Sequence, residues 1–226
     1  MKYFPISLNI TGRRCTVVGG GRVAARKVDA LLEYGGDVRI ISPELAGELQ
    51  SLQQAGRIKW LSRNYQPGDL KGSFLVIAAT DDEQVQEKVY REAENNGQLV
   101  NVADVPERCN FILPATVTRD SLTVSVSTAG NSPALARRLR QELETTIRPE
   151  HGILGEMLGM IRPEILKMGK PHEENKLIFA ELLHERFTGW IKDKDWHSIE
   201  KHLHQTLGNN LDRECLNSLK KMLDYD

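Results

Sequence analysis

The sequence predicts an α/β protein in three parts: a parallel-sheet domain over 1–113, a small α+β segment over 114–150 and a helical C-terminal domain over 151–226. Three observations predict it. Short apolar runs alternate with helix-like segments through the first half, which is the pattern of βαβ units on a parallel sheet. After Asp104 that alternation gives way to two or three strand-like runs and a single helix. From His151 onward nothing strand-like remains, and apolar residues recur at helical intervals.

The elements follow in order. "CTVVG" (15–19) is a short β-branched run, and "VAARKVDALLEYGG" (23–36) places Val23, Ala24, Val28, Leu31 and Leu32 at helical spacing, with Gly35 and Gly36 as the stop. "DVRIIS" (37–42), "PELAGELQSLQQAG" (43–56) and "IKWLS" (58–62) repeat the alternation. In "FLVIAAT" (74–80) the first six residues are apolar on both faces, as in a central parallel strand. "DDEQVQEKVYREAENNG" (81–97) reads as a helix and "LVNVAD" (99–104) as a strand. "FILPATVTRDSLTVSVSTAGNSPALARRLRQELE" (111–144) offers the later strands and then a helix capped by Ser132, with Pro133 in its first turn. In the tail, "ENKLIFAELLHERFTGWI" and "DWHSIEKHLHQTLG" read as amphipathic helices. No internal repeat or low-complexity tract appears.

A chain of 226 residues admits one large domain or two modest ones. Thirty basic against thirty-one acidic side chains give a net charge of −1, so no global field draws the protein to nucleic acid or an anionic membrane. An anionic ligand must be met by a local basic cluster. Cys15, Cys109 and Cys215 are odd in number and far apart, which fits neither a disulfide framework nor a zinc site and points to a reducing cytoplasm. "MKYFPISLNITGRR" lacks the apolar stretch of a signal peptide, and no window approaches the roughly 18 apolar residues of a membrane span. A soluble cytoplasmic protein is expected. The histidines are scattered, and His202 and His204, two apart, fall on different helix faces, so no metal site is expected.

Gly19, Gly21 and Ala24 form G-x-G-x-x-A between a strand and a helix, the context of a Rossmann-type dinucleotide fingerprint. The first glycine permits the tight turn, the second lets backbone approach a pyrophosphate, and the small third residue lets helix and strand pack closely. The alternative is a plain glycine turn. The acidic residue that commonly holds the adenosine ribose is missing: the second strand ends in "RIISPE", with Ser42 in its place and Glu44 slightly late. Arg22 and Arg39 are candidates for a 2′-phosphate, Arg22 equally for a solvated loop charge; NAD is favoured over NADP. Ligands of such sheets sit outside the carboxyl ends of the strands. Gly19–Val23, Ala79–Asp82 and Asn101–Asp104 therefore converge, with Thr80 and Asp81 at the cofactor and Asn101 at the substrate. Asp81 and Asp82 also suit a helix cap and first turn. Asp104 follows a strand and starts no evident helix, so it is the candidate catalytic carboxylate, with a turn-forming aspartate as the alternative. "STAGNSP" sets Thr128, Asn131 and Ser132 at a helix N-terminus, a natural anion site. Arg137, Arg138 and Arg140 follow, either as a clamp for carboxylates or as a solvated face.

Together "PISLNITGRRCTVVGGGRVAARK", "AATDD", "NVADVPERCNFILPA" and "VSVSTAGNSPALARRLR" resemble the precorrin-2 dehydrogenases of sirohaem synthesis, including the bifunctional dehydrogenase/ferrochelatases and the N-terminal module of fused sirohaem synthases. The resemblance covers about the first 150 residues; the tail is similar only in being helical. It implies NAD-dependent oxidation of precorrin-2 to sirohydrochlorin and, in many members, insertion of Fe²⁺ to give sirohaem. It implies that Asp104 is the catalytic aspartate, that Gly20, Gly21, Arg22 and Val23 form the cofactor loop, and that Ser42 and Pro43 meet the ribose, so the missing acid is a family habit. It further implies a homodimer with 114–150 as the dimerisation segment. Thr128 stands where fused synthases carry a phosphorylatable serine, and with the chain ending at Asp226 precorrin-2 is expected from another protein. Precorrin-2 carries eight carboxylates, which suits local arginines on a near-neutral protein. A nucleotide-sensing regulatory module without catalysis is the alternative class. A short-chain-type dehydrogenase is disfavoured, because no Y-x-x-x-K pair follows the Rossmann unit.

Overall fold

The computed structural model describes residues 3–223 and divides into two compact units, Met1–Leu113 and Pro114–Asp226. In the first, β1 (Arg14–Val18), β2 (Asp37–Ser42), β3 (Lys59–Ser62), β4 (Leu75–Ala78) and β5 (Leu99–Val102) form one parallel sheet in the order β3-β2-β1-β4-β5. Every residue of β4 and all but the first of β1 are buried, which explains the apolar run of β4 and the small and β-branched run of β1. Helix α1 (Arg22–Glu33) buries Ala24, Ala25, Val28 and Leu31 with Val17, Ile40 and Ile77. Helix α3 (Glu83–Asn95) buries Val89 and Ala93 with Val76, Ala78, Val100 and Val102, whose side chains alternate to the opposite face. The chain builds outward from β1 in one direction and from β4 in the other. The order therefore reverses between these two strands, and a crevice opens above their carboxyl ends.

The strands fall where the apolar runs predict them. Helix α2 (Gly47–Gln54) begins later than "PELAGELQ" implies, because Pro43–Ala46 stays outside the helix and Ala46 N–H donates to Gly20 O at 2.7 Å. "FIL" before Pro114 is no strand; Phe111 packs instead on the α1 side of the sheet.

In the second unit, β6 (Ala115–Arg119) and β7 (Leu122–Val126) pair antiparallel through a turn with Asp120 at φ 49°. Helix α4 (Pro133–Thr146) starts as expected, with Ser132 Oγ accepting from Leu135 N–H at 3.2 Å. Helix α5 (Pro149–Lys167) presses Gly152 against the hairpin, where a Cβ would lie 2.6 Å from Arg119 O, and its far end joins the helical core. That core sets Met157, Ile161 and Ile165 among Leu182, Phe187, Ile199 and Leu203, supplied by α6 (His172–Leu182), α7 (Phe187–Lys192) and α8 (Trp196–Leu207), with α9 (Arg213–Lys221) adding Leu219. Asp195 and Asp212 cap α8 and α9 through Ser198 N–H and Cys215 N–H. Among the described residues no helix is long and apolar enough to cross a membrane.

Below the sheet, a polar cluster fixes the loop between β3 and β4. Asp69 accepts two bonds from the Arg63 guanidinium, at 2.7 and 2.6 Å, and one from Gln66 N–H at 2.8 Å. The Arg63 bonds hold its carboxyl below the usual range, although burial pulls the other way. A depressed carboxyl stabilises the fold above its unfolded pKa and loses that contribution as pH falls through the folded value. Asp69→Asn is expected to lower stability at neutral pH by about 1–3 kcal/mol. The gap between the urea midpoints of wild type and variant should close in strong acid.

Candidate nucleotide and catalytic crevice

The crevice begins at the glycine turn, and its three glycines do different things. Gly19 has φ 117°, and a Cβ on it would collide with Ala79 O. Gly20 is buried: a Cβ there would strike Glu44 O and stand 2.8 Å from Ser42 Oγ. Gly21 is exposed, and nothing lies within 4 Å of where its Cβ would be. The turn is stitched to both neighbouring strands, by Gly19 N–H to Ile41 O at 2.9 Å and by Ala79 N–H to Val18 O at 2.7 Å. Helix α1 then starts without a side-chain cap or an acidic first-turn residue, its first backbone bond running from Ala25 N–H to Gly21 O. Its leading N–H groups and positive dipole end face open space beside Gly21, which is what a pyrophosphate requires. Fully buried Ala24 permits the close packing expected of the third motif position.

At the end of β2, Ser42 is buried and its carbonyl accepts from Trp60 Nε1 at 2.9 Å, while Pro43 is exposed. Arg39 is not at this end. It sits three residues earlier, and its guanidinium donates to Thr16 Oγ1 at 3.2 Å and to Asp69 O. Arg39 is therefore committed to the cluster below the sheet, and of the two arginines weighed for a 2′-phosphate only exposed Arg22 stands at the crevice.

After β4, Thr80 carries a structural load: its carbonyl accepts from Gln86 Nε2 at 2.7 Å and its hydroxyl from Asp82 N–H at 3.3 Å. Asp82 is the α3 cap, taking Gln84 and Val85 N–H, while Asp81 is exposed on the loop. After β5, Ala103 N–H donates to Ala78 O at 2.8 Å, and Asp104 takes the left-handed φ of 61° before a short 3₁₀ turn (Pro106–Arg108). The turn is tied back by Cys109, whose thiol lies 3.3 Å from the carbonyls of both Val102 and Val105 and accepts from Val102 N–H. Asn101 reinforces the same strap, its amide donating to Phe111 O at 3.0 Å. The Asp104 side chain is exposed and accepts no hydrogen bond from a described residue. Burial pushes the Cys109 thiol up, and burial, then Asp37, pushes Cys15 up to about 11, so neither suits a nucleophile.

One charged group at this crevice was not singled out in the sequence. Lys27 lies four residues beyond Val23 on α1, half-buried like it, and makes no hydrogen bond or ion pair with a described residue. Burial first and Arg26 second lower its pKa, against the fields of Asp104 and Cys109. Its only signal in the sequence is the i, i+4 spacing to the cofactor loop.

In the second unit, the loop before α4 closes on itself: Thr128 Oγ1 donates to Ser132 O and accepts from Ser132 N–H, both at 3.1 Å. Asn131 is exposed at the same place. Arg138 pairs with Glu142 at 2.9 Å and Arg140 with Glu144 at 2.5 Å, whereas exposed Arg137 makes no such bond. Among the described residues no group of three or more His, Cys, Asp or Glu could hold a metal.

Residues 6–115 match the family described as "Putative NAD(P)-binding", and 119–146 match the sirohaem biosynthesis protein central family. The chain is thus similar to sirohaem-biosynthesis proteins over most of its length. It is 38% identical over 203 residues to the siroheme synthase of Actinobacillus succinogenes, covering 90% of this chain and 43% of that one. It is 47% identical over 165 residues to that of Nitrosococcus oceani, covering 73% and 35%. The chain thus spans less than half the length of these relatives. The fold is also that of a solved structure described as SirC, precorrin-2 dehydrogenase, with TM-score 0.73 and 24% identity over 97% of this chain and all of that one.

The three glycines should separate on substitution. Gly21→Asp is expected to keep the fold, since its Cβ is unobstructed, but to set a carboxylate where an anion would approach the start of α1, so that any nicotinamide dinucleotide held there loses affinity. Gly20→Ala is expected to unfold or strongly destabilise the unit, because backbone rather than a flexible side chain blocks its Cβ. Calorimetric titration with NAD and thermal melts of both variants check this.

Proposed function

We propose that this chain oxidises precorrin-2 to sirohydrochlorin with NAD, and that it also inserts Fe²⁺, as a substrate, to give sirohaem. The observation that carries the reading is one crevice holding both an open, uncapped glycine N-terminus and an unengaged carboxylate at Asp104. The names of the relatives and of the solved structure with this fold point the same way.

In this reading Gly19, Gly20 and Gly21 shape the turn, the N–H groups at Arg22 and Val23 meet the pyrophosphate, and Ser42, Pro43, Thr80 and Asp81 border the remainder of the dinucleotide. NAD is preferred over NADP because Arg39 is committed elsewhere. The bound nicotinamide supplies a hydride acceptor. Asp104 takes the proton that leaves with the hydride: its lone pairs are free, and the strap made by Asn101 and Cys109 holds the backbone that carries it. In chelation the same carboxylate withdraws pyrrole protons as Fe²⁺ enters. Arg137, with Arg138, Thr128, Asn131 and Ser132, holds substrate carboxylates, Arg137 most strongly because no glutamate competes for it. The working form is a homodimer built through 114–150, which covers Leu135 and Leu139, exposed by 48% and 37% in the single chain.

An anaerobic assay with precorrin-2 and NAD, followed spectroscopically with and without Fe²⁺, tests the proposal. NAD binding without any NADH formed would hand the chain to the nucleotide-sensing reading. Asp104→Asn is expected to keep NAD binding and the dimer while slowing oxidation by about 10² to 10⁴; a rate within about threefold of wild type, far below the usual effect of losing a base, would make Asp104 a turn residue. Iron insertion into supplied sirohydrochlorin should fall with it. Arg137→Ala is expected to raise KM for precorrin-2 more than Arg138→Ala and to leave NAD affinity unchanged, with oligomeric state measured on the same samples.

A further inference from the structure

The half-buried ammonium of Lys27 shares the crevice with Asp104 and lacks a bonded partner. The charge of a lysine in that position is less favourable than in water, because burial strips its water and Arg26 repels it. An ordinary structural lysine would relieve this through an ion pair, yet no described carboxylate lies within 4 Å of it. The groups whose fields favour its charge are Asp104 and Cys109 of the strap. Side chains on a helix tilt toward its N-terminus, so the Lys27 stem leads back toward the crevice end of α1. The anion site at the start of α1 is already furnished by backbone N–H groups, more than a turn earlier in the helix, so a pyrophosphate there does not need this charge.

We infer that Lys27 is a substrate-anchoring residue, which binds a carboxylate of the macrocycle beside Asp104 and contributes to its affinity rather than to the chemical step. The inference rests on the proposed precorrin-2 reading. The ammonium is the partner that a polycarboxylate brings and the free chain lacks. Loss of solvation, unfavourable without ligand, then favours the bound state, since a charge-assisted bond gains strength where water is excluded.

The test uses the full chain with Lys27→Met, which keeps the apolar stem, and Lys27→Arg, which keeps the charge. Lys27→Met is expected to raise KM for precorrin-2 and the Kd for sirohydrochlorin, measured by absorbance titration, by about ten- to a hundredfold. It should leave kcat within about twofold, a change too small for the loss of a base. NAD affinity and the thermal midpoint should be unchanged, and Lys27→Arg should recover most of the binding. If Lys27→Met binds sirohydrochlorin as wild type does, the assignment of Lys27 is overturned while the activity stands. If kcat and its pH profile move while KM and Kd do not, the ammonium serves Asp104 alone and the anchoring role is equally overturned. If wild type neither oxidises precorrin-2 nor binds sirohydrochlorin, the proposed function itself fails, which is a different result from either.

Discussion

Everything at the crevice depends on how closely three backbone segments approach at the end of β1. Gly19 lies against Ala79 O and Gly20 against Glu44 O, so the chain can leave β1 only if both residues lack a side chain. The contact works in two directions. It holds the β2–α2 loop and the end of β4 to the same turn, through Ala46 N–H to Gly20 O and Ala79 N–H to Val18 O. It also forces α1 to begin where no residue is placed to cap it. An uncapped helix start leaves N–H groups unsatisfied, and the fold tolerates this because they face the space beside Gly21. The steric requirement of two glycines and the binding opportunity at the third are consequences of one arrangement.

The same constraint explains what could be read from the sequence. The strands were legible because each carries buried apolar residues in a short run, Val17 and Val18 in β1, Ile40 and Ile41 in β2, all of β4, and Val100 and Val102 in β5. The G-x-G-x-x-A spacing was legible as a turn that brings backbone to a ligand. What the spacing does not carry is the division of labour between Gly20 and Gly21, since it depends on the Glu44 carbonyl, twenty-four residues on. The late start of α2 has the same origin: Pro43–Ala46 is held out of the helix by its bond to Gly20, a tertiary demand that overrides local preference.

Side-chain destinations were less legible than side-chain chemistry. Arg39 was a candidate for a 2′-phosphate by its charge, but it stands in the middle of β2 and bonds to Thr16 Oγ1 and the Asp69 carbonyl. Asn101 and Cys109 read as a polar crevice residue and an isolated thiol. In the fold they are the strap behind Asp104, and the strap is what lets a non-glycine residue keep φ 61°. The left-handed conformation at Asp104 is thus maintained by its neighbours, while its own carboxylate takes no part in the bonding.

Charge sorts in the same way. A net charge of −1 says only that any anion site must be local. The structure separates cations already neutralised from those left over. Arg63, Arg138 and Arg140 have carboxylates at bonding distance, two of them at i, i+4 on a helix face where such pairing contributes little beyond local support. Arg22, Lys27 and Arg137 have none. Of these, exposed Arg22 and Arg137 are hydrated, and leaving them unpaired costs the fold almost nothing. Lys27 is half-buried, so its lack of a bonded partner is the more informative: burial and Arg26 make its charge less favourable than in water, Asp104 offsets part of that, and an incoming anion would offset more.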